Sequence, residues 1–129
     1  MTHPNAQTIR KGFDAFLRGD SETARSIFAP DVIWHVSGRG PLSGDFRGFA
    51  AIAAWGAQLY VRSGGTFAEE LVDIVADDAW AVQLAVYRAE RNGRKIQDRS
   101  VNVFRMVNGL VAECWVYFGD PNGFDEFWS

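Results

Sequence analysis

The sequence predicts an α+β fold in which three N-terminal helices pack on one face of a curved, mainly antiparallel sheet. Two observations predict it: apolar residues recur at helical spacing in the first half of the chain, and β-rich runs fill the second half. Asn-Gly pairs at 92–93 and 108–109 separate three of these runs, and this dipeptide is the strongest short-range signal for a hairpin turn. With 129 residues, the chain has the length of one domain, which we expect to span residues 1–129.

The first two helices follow from apolar spacing and from their end signals. Asn5 is a candidate N-cap of the first helix, and Gly19 ends it. Asp20 or Ser21 then caps a short second helix, which Pro30 stops. The apolar faces consist of Ile9, Phe13, Phe16 and Leu17 in the first helix and of Ala24, Ile27 and Phe28 in the second.

A short strand and a third helix come next. The strand spans 32–36 and runs into a turn that is rich in glycine and contains one proline. The third helix covers roughly 46–62 and ends at the Gly64-Gly65 pair. Its apolar face consists of Phe49, Ile52, Ala53, Gly56, Leu59 and Tyr60.

Four longer strands complete the chain as an antiparallel meander, and alternation divides their side chains between two faces. Tyr87 falls on the face that the helices cover, whereas Trp115 and Tyr117 fall on the opposite face. Because two exposed aromatic side chains would leave an apolar patch on a monomer, we expect a homodimer packed through that sheet face. The four strands span 67–76, 80–90, 96–107 and 110–118.

Composition and charge narrow the range of partners. Aromatic residues make up 14% of the chain, which suits a filled core, a dimer face or a pocket for a small apolar molecule. The formal net charge is −3 and the cations are scattered, so we do not expect nucleic-acid binding. The sequence shows no signal peptide and no apolar run of membrane-spanning length, so we expect no membrane partner and a cytoplasmic location.

Metal and thiol chemistry have little support in the sequence. The two histidines, His3 and His35, lack the spacing of metal ligands, and Cys114 is the single cysteine, so we expect neither a metal nor a cofactor. To act as a nucleophile, Cys114 would need a nearby base and a lowered thiol pKa. As a small buried hydrophobic residue it needs neither, and we expect that role.

Two stretches carry a family resemblance: WHVSGRGPLSGDFRG at 34–48 and ECWVYFGDPNGFDEFW at 113–128. With the order of helices and strands, they resemble the SnoaL-like, ketosteroid-isomerase-related branch of the nuclear transport factor 2-like superfamily. The resemblance covers nearly the whole chain and implies a cone with a deep apolar pocket between the helices and the sheet. The superfamily includes isomerases, polyketide cyclases, epoxide hydrolases, dehydratases and noncatalytic members, so the fold alone does not decide the activity.

The resemblance also implies candidate catalytic residues. It puts His35 at the position of a general base and Asn102 at the position of an oxyanion donor. A histidine ordinarily titrates near pH 6.5, which suits proton abstraction, and an amide N–H can stabilise a developing enolate. The helix tyrosine of steroid isomerases is missing, since Gly12-Phe13 stand there; the hydroxyl of Tyr87 is a candidate replacement. These departures argue against steroid isomerase activity itself.

The leading interpretation is therefore an isomerase- or cyclase-like enzyme that moves a proton next to a carbonyl. The alternative is a noncatalytic ligand-binding or dimerisation module. Epoxide hydrolysis is a lesser alternative. The Asp-Arg-Asp relay of epoxide hydrolases requires its three side chains in one site, but Asp98 and Arg99 are adjacent on a strand and point to opposite faces. The predicted ligand pocket consists of Phe13, Phe16, Trp55, Leu59, Ala85, Asp98, Ser100, Cys114, Val116 and Phe118.

Overall fold

The computed structural model describes residues 2–129 and has an α+β architecture, as predicted. Four helices and six strands are formed within these residues. In chain order they are α1 (Pro4–Leu17), α2 (Ser21–Ser26), β1 (Phe28–Val36), β2 (Gly44–Arg47), α3 (Gly48–Arg62), β3 (Ala68–Ala76), β4 (Trp80–Arg91), β5 (Arg94–Val107), β6 (Leu110–Phe118) and α4 (Pro121–Trp128).

The six strands form one sheet in the order β2-β1-β6-β5-β4-β3. Every neighbouring pair is antiparallel except β1 and β6, which run parallel. Both Asn-Gly pairs form the predicted hairpin turns. Asn92 and Asn108 have φ of 52° and 51°, and the glycine after each is also in the left-handed region, as a type I′ turn requires.

Three features differ from the prediction. β1 begins at Phe28 and contains Pro30, so the proline does not simply stop the second helix. The glycine-rich turn includes a short edge strand, β2, which pairs with β1. Asp120 caps a fourth helix, because its side chain accepts a hydrogen bond from the Gly123 amide. That helix forms because its aromatic residues are buried against the sheet, and these are Phe124, Phe127 and Trp128.

The N-terminal cap also differs from the prediction. His3 is the N-cap of α1, and its Nδ1 accepts a hydrogen bond from the Asn5 backbone amide. The side chain of Asn5 instead donates to the carbonyl oxygens of Asp77 and Asp78 in the turn before β4. Asn5 therefore ties the first helix to the sheet.

Helices α1 and α3 cover the inner face of the sheet, and two glycines allow their close approach. A Cβ at Gly56 of α3 would lie 2.7 Å from the ring of Phe16 on α1. Gly12 of α1 is similarly crowded by the side chain of Ile27. Within residues 2–129, no helix is both long enough and apolar enough to cross a lipid bilayer.

Candidate functional site

A cavity of about 310 Å³ lies between the helices and the inner face of the sheet. This volume is at the lower end of the range for small-molecule sites. Its wall is mostly aromatic and aliphatic, and the wall residues that are exposed to solvent are small, so they mark the mouth between the α1–α2 corner and α3. These mouth residues are Gly19, Ser21, Ala53 and Ala57.

The sheet wall contributes a pair of amide side chains. Gln83 on β4 and Asn102 on β5 are directly opposite each other in the sheet register. They are only 5% and 8% exposed and both line the cavity, and within residues 2–129 neither side-chain amide makes a hydrogen bond to another residue. In the described chain, the enclosed polar side-chain atoms without a partner are Trp34 Nε1 and Trp128 Nε1, so the two amides are accessible from the cavity, where water or a ligand can pair with them.

A carboxyl group lies beside this pair. Glu69 on β3 borders the cavity, and its Oε2 accepts a hydrogen bond of 3.4 Å from the hydroxyl of Ser100. Burial in the apolar wall raises the pKa of Glu69 from 4.5 to about 7, although the Ser100 hydrogen bond opposes that rise. Tyr60 of α3 also lines the cavity; burial and the charge of Glu69 raise the pKa of its phenol. Glu69 can therefore exchange a proton near neutral pH.

Tyr87 lines the cavity but is committed to a structural contact. Its hydroxyl donates a hydrogen bond of 3.4 Å to Asp98 Oδ2, which also accepts from the Asp120 backbone amide. Burial, followed by the nearby charge of Asp98, raises the pKa of the Tyr87 phenol. Asp98 thus anchors the start of α4 and is not part of the cavity wall.

His35 does not line the cavity, so its predicted placement is wrong. Val32, Trp34 and Val36 of β1 are buried on the inner face, and alternation turns His35 to the outer face of the sheet. There its ring stacks on Trp115, with 5.4 Å between ring centroids. A residue on this side of the sheet cannot act on a molecule in the cavity.

The outer-face position gives His35 two carboxylate partners. Its Nδ1 lies 2.7 Å from Asp45 and its Nε2 lies 2.6 Å from Glu113, which also contacts Arg105. Partial burial lowers the pKa of His35, but the hydrogen bonds to Glu113 and Asp45 outweigh it and raise the pKa overall. The hydrogen bond from His35 in turn lowers the pKa of Glu113. The contacts fit an imidazolium that donates from both nitrogens.

The other predicted pocket residues divide into two groups. Ala85 and Cys114 are buried on the inner face, but neither forms part of the cavity wall. Burial raises the pKa of the Cys114 thiol well above its ordinary value, so it is not an activated nucleophile. The residues that do form the wall, besides Tyr87 and Asn102, are Phe13, Phe16, Trp55, Leu59, Ser100, Val116 and Phe118.

The predicted site lacks several polar wall residues, among them Glu69 and Gln83. Alternation along β4 puts Gln83 on the same face as Tyr87, and alternation from buried Phe67 puts Glu69 on the inner face. The sequence therefore indicates an inward orientation for both side chains. A register shift between Leu71 and Asp73 changes the face assignment only for the part of β3 that follows it, and Glu69 lies before it. Within residues 2–129, no group of three or more His, Cys, Asp or Glu side chains could hold a metal ion.

Comparison with known proteins agrees with this architecture. A family model described as a SnoaL-like domain matches residues 9–114. The uncharacterized protein Rv0034 of Mycobacterium tuberculosis is 31% identical over 123 residues, which cover 94% of this chain and 93% of that protein. The structure of Bal32a, from a soil-derived mobile gene cassette, is 33% identical with a TM-score of 0.91, covering 98% of this chain and 97% of Bal32a.

A second solved structure is similar along the full chain. It is a protein of unknown function with a cystatin-like fold from Xanthomonas campestris, 28% identical with a TM-score of 0.87. The match covers 100% of this chain and 99% of that one. On the extent of the family match and the identity to relatives, the chain belongs to the SnoaL-like family.

Proposed function

We propose that this protein is an isomerase- or cyclase-like enzyme that moves a proton next to a carbonyl on a small, largely apolar molecule. The single observation that carries the proposal is the position of Glu69, a carboxyl group with a pKa of about 7 in an aromatic cavity. A base is most effective when its pKa lies near the working pH, and burial supplies that match here.

In the proposed reaction, ionised Glu69 takes a proton from the carbon adjacent to the carbonyl. The electron pair of the broken C–H bond moves toward the carbonyl oxygen and forms an enolate. The amide N–H groups of Asn102 and Gln83 donate hydrogen bonds to that oxygen. Protonated Glu69 then returns the proton to the α carbon or, where a C=C bond is conjugated with the enolate, to the far carbon of that bond, which moves the double bond; the protein ends in its starting state. Wall residues such as Trp55 and Phe16 exclude water from the enolate.

Deuterium exchange tests the proposal without knowledge of the natural substrate. A bicyclic ketone such as 1-tetralone is incubated with the protein in D2O, and NMR follows the loss of its α-proton signal. We expect exchange above the buffer rate, with a rate that rises as pH increases through about 7 because Glu69 must be ionised. Glu69→Gln should lower the rate by about 10²–10⁴-fold.

Glu70→Gln is the matched control. Glu70 is the next residue of β3, but it lies on the solvent side and pairs with Arg88 at 3.5 Å. It should exchange at the wild-type rate. If Glu69→Gln exchanges as fast as the wild type, the assignment of Glu69 as base is wrong. Ketone binding without any exchange would favour the second candidate, a noncatalytic ligand-binding module, which the two amides on the cavity wall also support.

The proposed assembly is a homodimer formed through the outer face of the sheet. Trp80, Leu84 and Tyr117 are 43%, 37% and 47% exposed on strands of that sheet. Arg105 and Glu113 lie on the same face. In a dimer related by a two-fold axis, the outer faces of both copies therefore contribute charges of both signs as well as apolar area.

The dimer proposal is tested by sedimentation equilibrium. The double substitution Leu84→Lys and Tyr117→Lys should give a monomer, because it places four uncompensated cations in the interface of a dimer. Val61→Lys is the control, since Val61 is 70% exposed on α3, away from the sheet face. A wild-type protein that is monomeric throughout the micromolar range would contradict the dimer.

A further inference from the structure

The carboxyl group of Glu69 lacks a counter-ion in the part of the chain that the structure describes. Its hydrogen bond is to the neutral hydroxyl of Ser100, and no Lys, Arg or His side chain among residues 2–129 pairs with it or lines the cavity. Charged groups that are buried in proteins are normally paired. A cation that pairs with ionised Glu69 therefore has to come from another molecule.

Two arginines lie at the helical end of the cavity, and both are engaged elsewhere. Arg18 pairs with Asp20, whose carboxylate is 3.2 Å away. Arg25 of α2 lies over the ring of Phe49, 5.2 Å from its centroid. Among the described residues, the ionisable groups of the cavity wall are therefore carboxyl and phenol groups only.

Aromatic rings surround the carboxyl group of Glu69. Tyr87 is directly opposite Glu69 in the register of β3 and β4, and Phe67 lies two residues before Glu69 on the same face. Tyr60 of α3 is also near, because burial and then the charge of Glu69 raise the pKa of its phenol. All three rings line the cavity, with centroids 5.3 Å apart for Tyr60 and Phe67 and 6.4 Å apart for Phe67 and Tyr87. A cation beside Glu69 would lie among several aromatic rings, whose faces attract positive charge.

A protonated amine suits these neighbours, whereas an anion does not. An ammonium group has three N–H donors, and the cavity wall offers it the carboxylate of Glu69 and the amide oxygens of Gln83 and Asn102 as acceptors. The positive charge also offsets the burial that raises the pKa of Glu69 to about 7. A carboxylate in the same place would be repelled by ionised Glu69 and would lose its own hydration without compensation.

We propose that the cavity binds small apolar amines in their protonated form, with the ammonium group paired to ionised Glu69 and enclosed by the aromatic rings around it. Such a ligand occupies the group that serves as the base in the proposed reaction, so it inhibits proton transfer and is not its substrate. The inference rests on the cavity and concerns binding, so it is measured without turnover.

Three bicyclic probes of similar size separate the effect of charge from that of apolar contact. Tetralin is uncharged, 2-aminotetralin is an alkyl ammonium ion at pH 8, and tetralin-2-carboxylate is an anion. Titration calorimetry at pH 8, where Glu69 is largely ionised, should show 2-aminotetralin binding at least about tenfold more tightly than tetralin. The carboxylate should bind at least about tenfold more weakly than the amine.

Proton release identifies Glu69 as the partner of the ammonium group. At pH 6 a carboxyl group with a pKa of about 7 is mostly protonated, and it must lose that proton to form the ion pair. Binding of 2-aminotetralin should therefore release about 0.9 proton at pH 6 and about 0.1 proton at pH 8, and its affinity should rise about tenfold between them. Calorimetry in two buffers of different ionisation enthalpy counts these protons. Tetralin should release close to none.

Variants test the two parts of the site. Glu69→Gln should abolish the proton release and weaken 2-aminotetralin at pH 8 by at least about tenfold, with tetralin affinity within about twofold of the wild type. Glu70→Gln is the matched control, because Glu70 lies on the solvent side and pairs with Arg88; it should release protons as the wild type does. Tyr60→Leu should reduce the preference for the amine over tetralin by about two- to fivefold, the effect of one ring.

A measurement on the wild type covers the case in which Glu69→Gln does not fold. In ¹³C NMR, the titration of the Glu69 carboxyl should move to lower pH by at least about one pH unit when 2-aminotetralin is bound. Tetralin should not move it in that direction.

Several results would overturn the inference. They are amine binding without proton release at pH 6, equal affinities for 2-aminotetralin and tetralin at pH 8, a Glu69→Gln variant that binds the amine as tightly as the wild type, and failure of every probe to bind. The proposed function fails on a different result, namely 1-tetralone binding with no proton exchange. The two failures are therefore distinguishable.

Discussion

Glu69→Gln tests the buried carboxyl group through stability alone, without any ligand. The substitution nearly preserves the shape of the side chain and removes its ionisation. In the unfolded chain this carboxyl loses its proton near pH 4.5, whereas in the folded protein burial raises the pKa to about 7. Between these values the folded state binds more protons, so the stability of the wild type falls as pH rises from about 4.5 to 7 and levels off above.

The magnitude follows from the two pKa values. The interval from 4.5 to about 7 corresponds to about 3 kcal/mol at 1.36 kcal/mol per pH unit. Because the cavity is open to solvent at its mouth, screening reduces this, and we expect about 2 kcal/mol. The glutamine of Glu69→Gln does not titrate. The free energy of unfolding of the variant minus that of the wild type should therefore be larger at pH 8 than at pH 5 by about 2 kcal/mol.

Urea unfolding followed by tryptophan fluorescence measures the effect at intervals between pH 5 and pH 9. His35 titrates in both proteins, so its contribution cancels in the difference. Glu70→Gln on the solvent side of β3 should show a pH dependence parallel to that of the wild type. Two results would contradict a raised pKa for Glu69. One is a pH dependence of the unfolding free energy of Glu69→Gln that is parallel to that of the wild type. The other is a Glu69 carboxyl that titrates near pH 4.5 in ¹³C NMR.

Two further predictions concern packing and the outer face. His35→Gln should cost about 1 kcal/mol at pH 6, and the cost should shrink as pH rises through the raised pKa of His35, because only the imidazolium bonds both carboxylates. An equal cost at pH 6 and pH 9 in urea unfolding would contradict this. Gly56→Ala should cost about 1–3 kcal/mol in thermal unfolding, since its Cβ meets the Phe16 ring at 2.7 Å. Combining it with Phe16→Leu should recover part of the loss, and fully additive losses would contradict the clash.

Local signals in the sequence were sufficient for most of the fold. The two Asn-Gly pairs fix hairpin turns because both central residues need positive φ, and both pairs have it. The helical spacing of α1 and α3 likewise survives in the structure. These features depend on residues that are close in sequence, which is why a single sequence carries them.

Features that depend on distant contacts were harder to predict. β2 has four residues and exists because β1 offers a free edge beside it. The residues Asp120 and Pro121 suit either a turn or a helix start, since an Asp N-cap followed by proline serves both. Burial of Trp128, which is 0% exposed, favours the helix, and that contact cannot be read from the local pattern.

The candidate site shows the same division. Alternation along β4 and β5 is a local rule, and it puts Tyr87 and Asn102 on the inner face, where the structure has them. His35 was assigned from the position of a base in related proteins, against the alternation of its own strand, in which Trp34 is the inward residue. Glu69 precedes the register shift between Leu71 and Asp73, so alternation from Phe67 does put it on the inner face; the local pattern does not show that a carboxyl group is buried there, because that burial depends on distant contacts.

The contrast between His35 and the facing amides gives a physical criterion for choosing site residues in this fold. Both ring nitrogens of His35 have carboxylate partners, so its hydrogen-bonding capacity is used within the protein and its removal should change stability. Gln83 and Asn102 are more deeply buried, line the cavity and bond no other residue within 2–129, so their hydrogen-bonding capacity is left for a molecule in the cavity. A polar group that is buried at a cost to folding is better explained by binding than by structure. On that criterion, Gln83, Asn102 and Glu69 are the residues to mutate first, and His35 is the structural comparison.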